Sequence, residues 1–355
     1  MKKLSFLAVL LLSLVISACH PDEPTPESGL HIEKGVLVLN EGTYMYANAS
    51  LTYYNPEADT SMNNLFYRIN GAPIGDVGQS MAIINGNLYI VVNNSNYIYK
   101  VDANSMVCDT TKPYILGDFY SPRYILPLAP DKAYVSDLSG NNLWIIDPSD
   151  MSHTGTIDMG KPTETMVMVG NEVYVTNWSN YYNNAVDNNT VMVVDANQNI
   201  KVAEITVGKE PNGMVVDSDG MVWVLCEGAF WDEDAEDPSL WQINPWTKTA
   251  TCKLTFDASA MNLAVDPQGE YLYCFLNGDV RRISVSSATL DESFCIPAEG
   301  RTFYKIAVNP ANGEIYVSDA KNYMVSGTVY RYSSDGVLLS SFNAGICPGF
   351  ILFRN

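Results

Sequence analysis

The sequence is poor in histidine and in positive charge. It has three histidines, and its 20 lysines and arginines are outnumbered by 40 aspartates and glutamates, which gives a net charge of −20. A protein with this balance repels a polyanion, so nucleic acid is not expected as a partner. Beyond the first residues, no apolar run approaches the length of a membrane span.

Short motifs that carry chemistry are also missing. The chain has no G-x-S-x-G, no P-loop and no paired-glycine cofactor motif. None of its seven cysteines shows C-x-x-C spacing, which argues against a metal knuckle. Cys226 and Cys274 lie in strand-like apolar runs, and we expect buried thiols there. A disulfide is the alternative, but the sequence does not show which cysteines would pair. No cofactor and no metal site is predicted.

The N-terminus reads as an export signal. Two lysines precede an apolar run that is too short to span a membrane, and small residues then lead to Cys19 in "VISAC". This stretch resembles the bacterial lipobox, in which the leader is cut before a cysteine that becomes lipidated. Residues 1–18 are therefore predicted to be a signal peptide, and residues 19–34 a flexible tether that starts at a lipidated Cys19. The acidic residues that follow Cys19 resemble the export signal of Bacteroidetes surface lipoproteins. We therefore expect an outer-membrane lipoprotein displayed at the cell surface, which contacts the membrane only through its lipid.

An internal repeat organises the rest of the chain. Each copy is an aliphatic strand, a tight turn and a second strand that often reads aromatic-x-aliphatic, followed by a third apolar strand and a more polar fourth strand. Six copies begin at Ser80, Arg123, Glu164, Asn212, Met261 and Tyr304. Their spacing of about 40 to 50 residues is that of the four-stranded blades of a β-propeller.

The two ends of the chain supply a seventh blade. "CPGFILF" near the C-terminus matches a first strand that has no second strand after it, and "GVLVLNEG" from Gly35 matches a second strand that has no first. Pairing the strand near Phe350 with the strand near Val38 closes the ring and removes its open edges. The sequence predicts an all-β, seven-bladed β-propeller over residues 35–355, with four antiparallel strands per blade, and a monomer.

The loops that join second to third strands differ strongly in length. They are long in blades one, four, five and seven, where each carries aromatic residues beside amides or small polar groups. These loops leave the face from which the inner strands start, and blades four and five stand across the ring from blades seven and one. We therefore predict two walls around one ligand, since aromatic rings on long loops are typical of binding sites. The simpler alternative is that these loops merely cover the axis.

The candidate ligand-binding residues follow from this topology. The wall aromatics are Tyr44, Tyr46, Trp178, Tyr181, Tyr182, Phe230, Trp231 and Tyr323. The floor residues, at the starts of inner strands, are Arg123, Glu164, Asn212 and Tyr304. Further amides are Asn93, Asn177 and Asn180.

Catalysis is not predicted at this face. His20 and His31 precede the propeller, and His153 falls near a turn of the opposite face, so no histidine base or ligand is available. Paired carboxylates at a propeller mouth can hydrolyse sugars. The repeat places four carboxylates near the face from which the inner strands start: Asp137, Glu164, Glu227 and Asp319. Nothing in the sequence pairs them. The acidic run 232–237 is dense in oxygen ligands that could bind calcium, but they do not have the spacing of a calcium-binding loop. We therefore expect this run to form a solvated acidic rim.

The repeat, with "GVLVLNEG" at its start and strands such as "VYVTNW" and "IYVSD", resembles the YncE-like β-propeller lipoproteins of Bacteroidetes. Within that group it is similar to the surface lipoproteins that bind vitamin B12. The resemblance implies capture of cobalamin or a related corrinoid, and its transfer to an outer-membrane TonB-dependent transporter. It supplies no short motif from which individual contact residues can be carried over.

Three other functions fit the same face. Aromatic and asparagine side chains also suit a glycan or a peptide, which would make this a surface receptor for another ligand. A lectin-like or scaffolding protein without a small ligand, and a carbohydrate-active hydrolase, are the remaining alternatives.

Overall fold

The computed structural model describes residues 30–115, 120–179, 187–229 and 235–354. These residues form 28 β-strands and one short α-helix, and the strands assemble into seven antiparallel sheets of four. The predicted seven-bladed β-propeller is therefore confirmed. Among the described residues, no helix is long and apolar enough to cross a membrane.

The four strands of each blade follow one another from the axis outwards. Blade one consists of β28 (Pro348–Arg354), β1 (Gly35–Asn40), β2 (Ser50–Asn55) and β3 (Thr60–Met62); blade two of β4 (Gly78–Ile84), β5 (Asn87–Val92), β6 (Tyr97–Asp102) and β7 (Tyr114–Ile115); blade three of β8 (Pro122–Ala129), β9 (Lys132–Asp137), β10 (Asn142–Asp147) and β11 (Ser152–Asp158). Blade four consists of β12 (Met166–Val169), β13 (Glu172–Asn177), β14 (Thr190–Asp195) and β15 (Ile200–Thr206); blade five of β16 (Pro211–Val216), β17 (Val222–Cys226), β18 (Ser239–Asn244) and β19 (Thr249–Thr255). Blade six consists of β20 (Ala260–Val265), β21 (Tyr271–Leu276), β22 (Asp279–Ser284) and β23 (Thr289–Ile296); blade seven of β24 (Phe303–Val308), β25 (Ile315–Asp319), β26 (Ser326–Tyr332) and β27 (Leu338–Ile346). The helix α1 (Leu65–Asn70) buries Leu65 and Phe66 beside blades one and two.

The aromatic residue of the repeat packs between neighbouring blades. Tyr89, Tyr134 and Tyr174 occupy the same place in three successive second strands, and each is at most 1% exposed. Because a buried phenol needs a hydrogen-bond partner, each hydroxyl reaches the next blade. Tyr89 donates to the carbonyl of Pro148 at 2.5 Å, and Tyr134 donates to Asn199 at 2.5 Å. The aromatic-x-aliphatic pattern thus fills the space between blades and fixes their spacing.

The ring closes where the sequence predicts. Strands β1 and β28 pair antiparallel, with Val38 opposite Ile351 and Leu39 opposite Phe350. Val36, Val38 and Ile351 belong to an apolar cluster between blades seven and one. Blade one is therefore built from both ends of the described chain, and its inner strand is the last one.

Arg354, at the end of β28, fastens the residues ahead of β1. Its guanidinium donates hydrogen bonds to the carbonyls of Ile32 and Ala103 and to the Asn104 side chain, the last at 2.9 Å. These contacts hold the segment before Gly35 against blade two. They lie on the face opposite the starts of the inner strands, because β28 ends there and β1 begins there.

The cysteines are free thiols throughout the described part of the chain. Cys226, Cys274 and Cys347 are buried, as expected for the first two, whereas Cys252 and Cys295 are exposed on outer strands.

Candidate ligand-binding mouth

A cavity of about 410 Å³ lies over the axis at the face from which the inner strands start. We call it the mouth. Every blade contributes at least one residue to it from its inner strand or from the residues just ahead. From blade two to blade one these are Gln79, Arg123, Glu164, Asn212, Asn262, Tyr304 and Gly349. This volume lies within the range of small-molecule sites.

Arg123 and Glu164 form an ion pair across blades three and four. Nε of Arg123 lies 2.7 Å from Oε2 of Glu164, and Nη2 lies 2.8 Å from Oε1. The remaining amino group, Nη1, donates to Gln79 at 2.7 Å. The Glu164 side chain is 1% exposed and that of Arg123 15%. Beside a buried carboxylate the pKa of Arg123 is raised in spite of its own burial. The two charges therefore neutralise each other and occupy each other's hydrogen-bonding groups.

Trp178 covers this pair. The guanidinium carbon of Arg123 lies 5.7 Å from the centre of the Trp178 ring, within reach of a cation–π contact. Nε1 of Trp178 is buried and has no hydrogen-bond acceptor among the described residues. It is close enough to Glu227 to lower the pKa of that carboxyl, although it does not reach hydrogen-bond geometry. The indole thus connects the wall of blade four to the polar floor.

Glu227 and Glu41 occupy equivalent positions in blades five and one. Each is the first residue after a second strand and is followed by a glycine with positive φ, Gly228 at 88° and Gly42 at 80°. The sequence marks this as "LCEG" and "LNEG". A glycine at this point allows the chain to turn, because φ in this range disfavours a Cβ. The carboxylate before it is thereby aimed at the axis.

The Glu227 carboxyl accepts a hydrogen bond from Asn212 at 2.8 Å. Burial raises its pKa to about 7, and the hydrogen bond from Asn212 opposes part of that rise. At neutral pH this group is therefore divided between its charged and neutral forms.

Glu41 is held from two sides. The hydroxyl of Tyr304 donates to its Oε2 at 2.8 Å, and the ring of Tyr304 packs edge-on against Tyr323 at 5.8 Å. Gly349 lies beneath it, where a Cβ would come within 2.1 Å of Oε1. Burial raises the pKa of Glu41, against the lowering effect of the Tyr304 hydrogen bond.

Six of the predicted site residues line the mouth: Arg123, Glu164, Trp178, Asn212, Tyr304 and Tyr323. All four predicted floor residues are among them. Sequence reasoning did not include Glu41, Lys305, Gln79, Tyr124, Thr165, Asn262 and Phe303, and it mentioned Glu227 only as a possible carboxylate. The repeated "EG" after a second strand was the signal that could have found Glu41 and Glu227.

Four predicted residues lie elsewhere among the described residues. Tyr44 and Tyr46 are 64% and 67% exposed on the loop of blade one. The backbone N–H of Met45, between them, donates a hydrogen bond to the carboxylate of Asp76. Asn93 donates to the Ser121 hydroxyl and to the carbonyl of Pro122, so it supports the start of β8. Asn177 is fully buried and donates to the carbonyl of Pro162.

The other predicted residues fall outside the described part of the chain: Cys19, Asn180, Tyr181, Tyr182, Phe230 and Trp231. Two further carboxylates named from the sequence are structural. Asp137 accepts hydrogen bonds from the backbone of Ser121 and the indole of Trp144, and Asp319 accepts from the backbone of Thr302. Neither lines the mouth.

The described residues contain no group of three or more histidine, cysteine or acidic side chains that could hold a metal ion. The three carboxyl groups and two cations of the mouth instead form a hydrogen-bonding surface with aromatic sides.

The fold and the mouth define a ring-closed, seven-bladed β-propeller with a polar axial cavity. The chain belongs to the family described as a domain of unknown function, DUF5074, whose model matches residues 34–346. No curated protein matches it.

Solved structures agree on the fold. A quinonprotein alcohol dehydrogenase-like protein from Bacteroides thetaiotaomicron is 17% identical, with a TM-score of 0.69 over 91% of this chain and 79% of that one. The hydrazine synthase of Kuenenia stuttgartiensis is 14% identical, with a TM-score of 0.62 over 77% and 88%. A streptogramin B lyase is 14% identical, with a TM-score of 0.59 over 78% and 89%. These likenesses show the β-propeller fold, whereas the resemblance to cobalamin binders stays a prediction.

Proposed function

We propose that this protein is a receptor that binds a small, net-neutral ligand at the mouth. The observation that carries the proposal is the ion pair of Arg123 and Glu164, which lies beneath the ring of Trp178. It places polar groups and an aromatic face together at the point where all seven blades converge. A few well-placed polar groups beside aromatic side chains are what ligand sites commonly contain.

A charged ligand fits this mouth poorly. Arg123 uses all three nitrogens of its guanidinium on Glu164 and Gln79, so it has little left for an anion. The mouth also carries three carboxyl groups against two cations, on a protein with a net charge of −20. Neutral groups that donate and accept hydrogen bonds suit it better than phosphates or carboxylates.

Cobalamin, or a related corrinoid, is the first ligand to test. It is broad, and amides surround its rim, which suits a polar floor with aromatic residues around it. A cavity of about 410 Å³ admits only part of so large a molecule, so the remainder would rest on the long loops. In this proposal the protein is lipidated on Cys19 at the cell surface and passes its ligand to an outer-membrane TonB-dependent transporter, as the resemblance implies.

A glycan-active protein is the second candidate, and one observation favours it. Glu227 has a pKa of about 7 while other carboxyl groups share the same cavity, and glycoside hydrolases use such a protonated acid beside a second carboxylate. We favour binding over hydrolysis because Glu164 is committed to Arg123 and Glu41 to Tyr304.

Calorimetric titration with cyanocobalamin tests the proposal. Trp178→Ala should weaken binding by about 2 kcal/mol or more, roughly thirtyfold in Kd, because buried aromatic contacts dominate such interfaces. Trp231→Ala, on the long loop of blade five that the sequence predicts to contact the ligand, should act similarly. Trp246→Ala is the matched control, since Trp246 is 69% exposed on a turn of the opposite face. Affinity should change little with salt, because the ligand carries little net charge.

The possible outcomes separate the candidates. Wild-type protein that does not bind cyanocobalamin would remove the cobalamin assignment, and a panel of oligosaccharides assayed for both binding and cleavage would follow. Binding that Trp178→Ala does not weaken would remove the mouth as its site.

A further inference from the structure

Lys305 differs from every other charged group of the mouth. It lies on β24, lines the cavity and is partly buried. Among the described residues, its ammonium has no hydrogen-bond acceptor and no carboxylate within ion-pair distance, whereas Arg123 beside it is fully engaged. A lysine ammonium has three N–H donors, and for Lys305 none of them has an acceptor among the described residues that line the cavity.

Such an arrangement is costly in a ligand-free protein. Taking a charge away from water destabilises the folded state unless an opposite charge or hydrogen bonds compensate. Burial lowers the pKa of Lys305, and the opposing effects of Glu41, Glu164 and Glu227 do not restore it. Polar groups kept at a cost in a cavity are typical of binding sites rather than of scaffolding.

The groups around Lys305 define what it can bind. Glu41 accepts Tyr304 on Oε2 only, and Glu227 accepts Asn212 on Oε1 only, so each carboxyl keeps one oxygen without a donor among the described residues. The third carboxylate, Glu164, is occupied by Arg123. Among the charged side chains of the mouth, the hydrogen-bonding groups left without a partner in the described part of the chain are therefore the ammonium of Lys305 and one carboxyl oxygen each of Glu41 and Glu227.

We infer that Lys305 binds the carbonyl oxygen of a neutral carboxamide on the ligand, whose two N–H groups are accepted by Glu41 and Glu227. A primary carboxamide has one acceptor oxygen and two N–H donors in a plane, which matches this set in number and in kind. A carboxylate in the same place would meet Glu41 and Glu227 with like charge. The inference rests on the proposed function, and it assigns the chemical group that enters the cavity.

Lys305→Met tests the inference, because methionine keeps most of the length of the lysine side chain and removes its charge. Lys253→Met is the matched control on the exposed face of β19. Without any ligand, Lys305→Met should raise Tm by roughly 2 °C, since it removes an uncompensated charge, and Lys253→Met should leave Tm unchanged. A lower Tm for Lys305→Met would show that the lysine supports the fold, and it would overturn the inference whatever the ligand is.

The binding measurement uses cyanocobalamin, which presents carboxamides, and cellotetraose, which presents hydroxyl groups only. We expect Lys305→Met to weaken cyanocobalamin binding at least tenfold, while Lys253→Met stays within twofold of wild type. Unchanged affinity in Lys305→Met would overturn the inference while leaving the proposed function in place. Binding of cellotetraose in place of cyanocobalamin would overturn the carboxamide assignment.

Discussion

Arg123 and Glu164 meet across two blades through a two-pronged ion pair, with nitrogen–oxygen distances of 2.7 and 2.8 Å. Arg123 lies at the start of β8 and Glu164 just ahead of β12, so the pair joins blades three and four at the axis. Because Glu164 is 1% exposed, removing its charge leaves a buried guanidinium without compensation.

We therefore predict that Glu164→Gln lowers the free energy of unfolding by roughly 3 kcal/mol, as for other buried pairs from which one partner is removed. Equilibrium denaturation in urea would measure this. Replacing both partners, as Arg123→Met with Glu164→Leu, should recover much of the loss, because no lone charge remains. A single variant as stable as wild type would contradict the account of a mutually dependent pair.

Glu227 should make stability depend on pH. Folding raises its pKa from 4.5 to about 7, so the folded state holds this proton more tightly than the unfolded state does. The contribution of this group to stability is therefore largest below pH 4.5 and is lost as the pH rises to about 7. Burial is the main cause of the raised pKa; Asn212 and Trp178 oppose it, whereas the negative charges of Glu210 and Glu164 add to it.

Glu227→Gln should accordingly gain stability relative to wild type as the pH rises through that window. The gain should be on the order of 1 to 3 kcal/mol, measured by urea denaturation at several pH values. Asp237→Asn, on the same loop, serves as a control. A difference between Glu227→Gln and wild type that is constant with pH would contradict a raised pKa.

Closure of the ring depends on β28. Deletion of residues 346–355 should expose the edge of β1 and cause aggregation, because an unpaired strand edge is a template for association. A circular permutant is the control: Arg354 is joined to Gly35 by a two-residue turn, and the chain is opened between Ile346 and Cys347. Gly35 and Arg354 pair at the end of the β1–β28 ladder, so the permutant should be soluble and fold cooperatively. A soluble, cooperatively folded deletion variant would argue against the closure as a requirement.

The lipid anchor is predicted from the sequence alone. Cys19→Ala should release the protein from the membrane or leave it mislocalised, and mass spectrometry of the wild type should find a lipid on Cys19. Full surface display of the variant on intact cells would contradict lipidation as the means of attachment.

The fold could be predicted because each blade repeats one pattern and because the two orphan strands complement each other. Floor residues such as Arg123 and Asn212 could be predicted from topology alone, since every inner strand starts at the same face. The unpaired ammonium of Lys305 could not be predicted in this way. Lys305 is one residue after Tyr304, and whether its side chain finds a partner depends on the packing of several blades. Tyr44 and Tyr46 show the converse limit, because loop composition does not reveal how far a loop stands from the axis.

The hydrogen bonds of Arg354 to Ile32 and Asn104 fix where the chain ahead of the propeller departs, which is the face opposite the mouth. In the proposed lipoprotein, attachment through Cys19 would therefore place the mouth on the side away from the membrane, where it would meet ligand from bulk solvent. Delivery to a transporter in that same membrane would require the whole propeller to rotate about its tether. The eleven residues from 19 to 29 limit that movement, because fully extended they reach at most about 40 Å. Lengthening or shortening this stretch should therefore change the rate of transfer and leave the affinity of capture untouched.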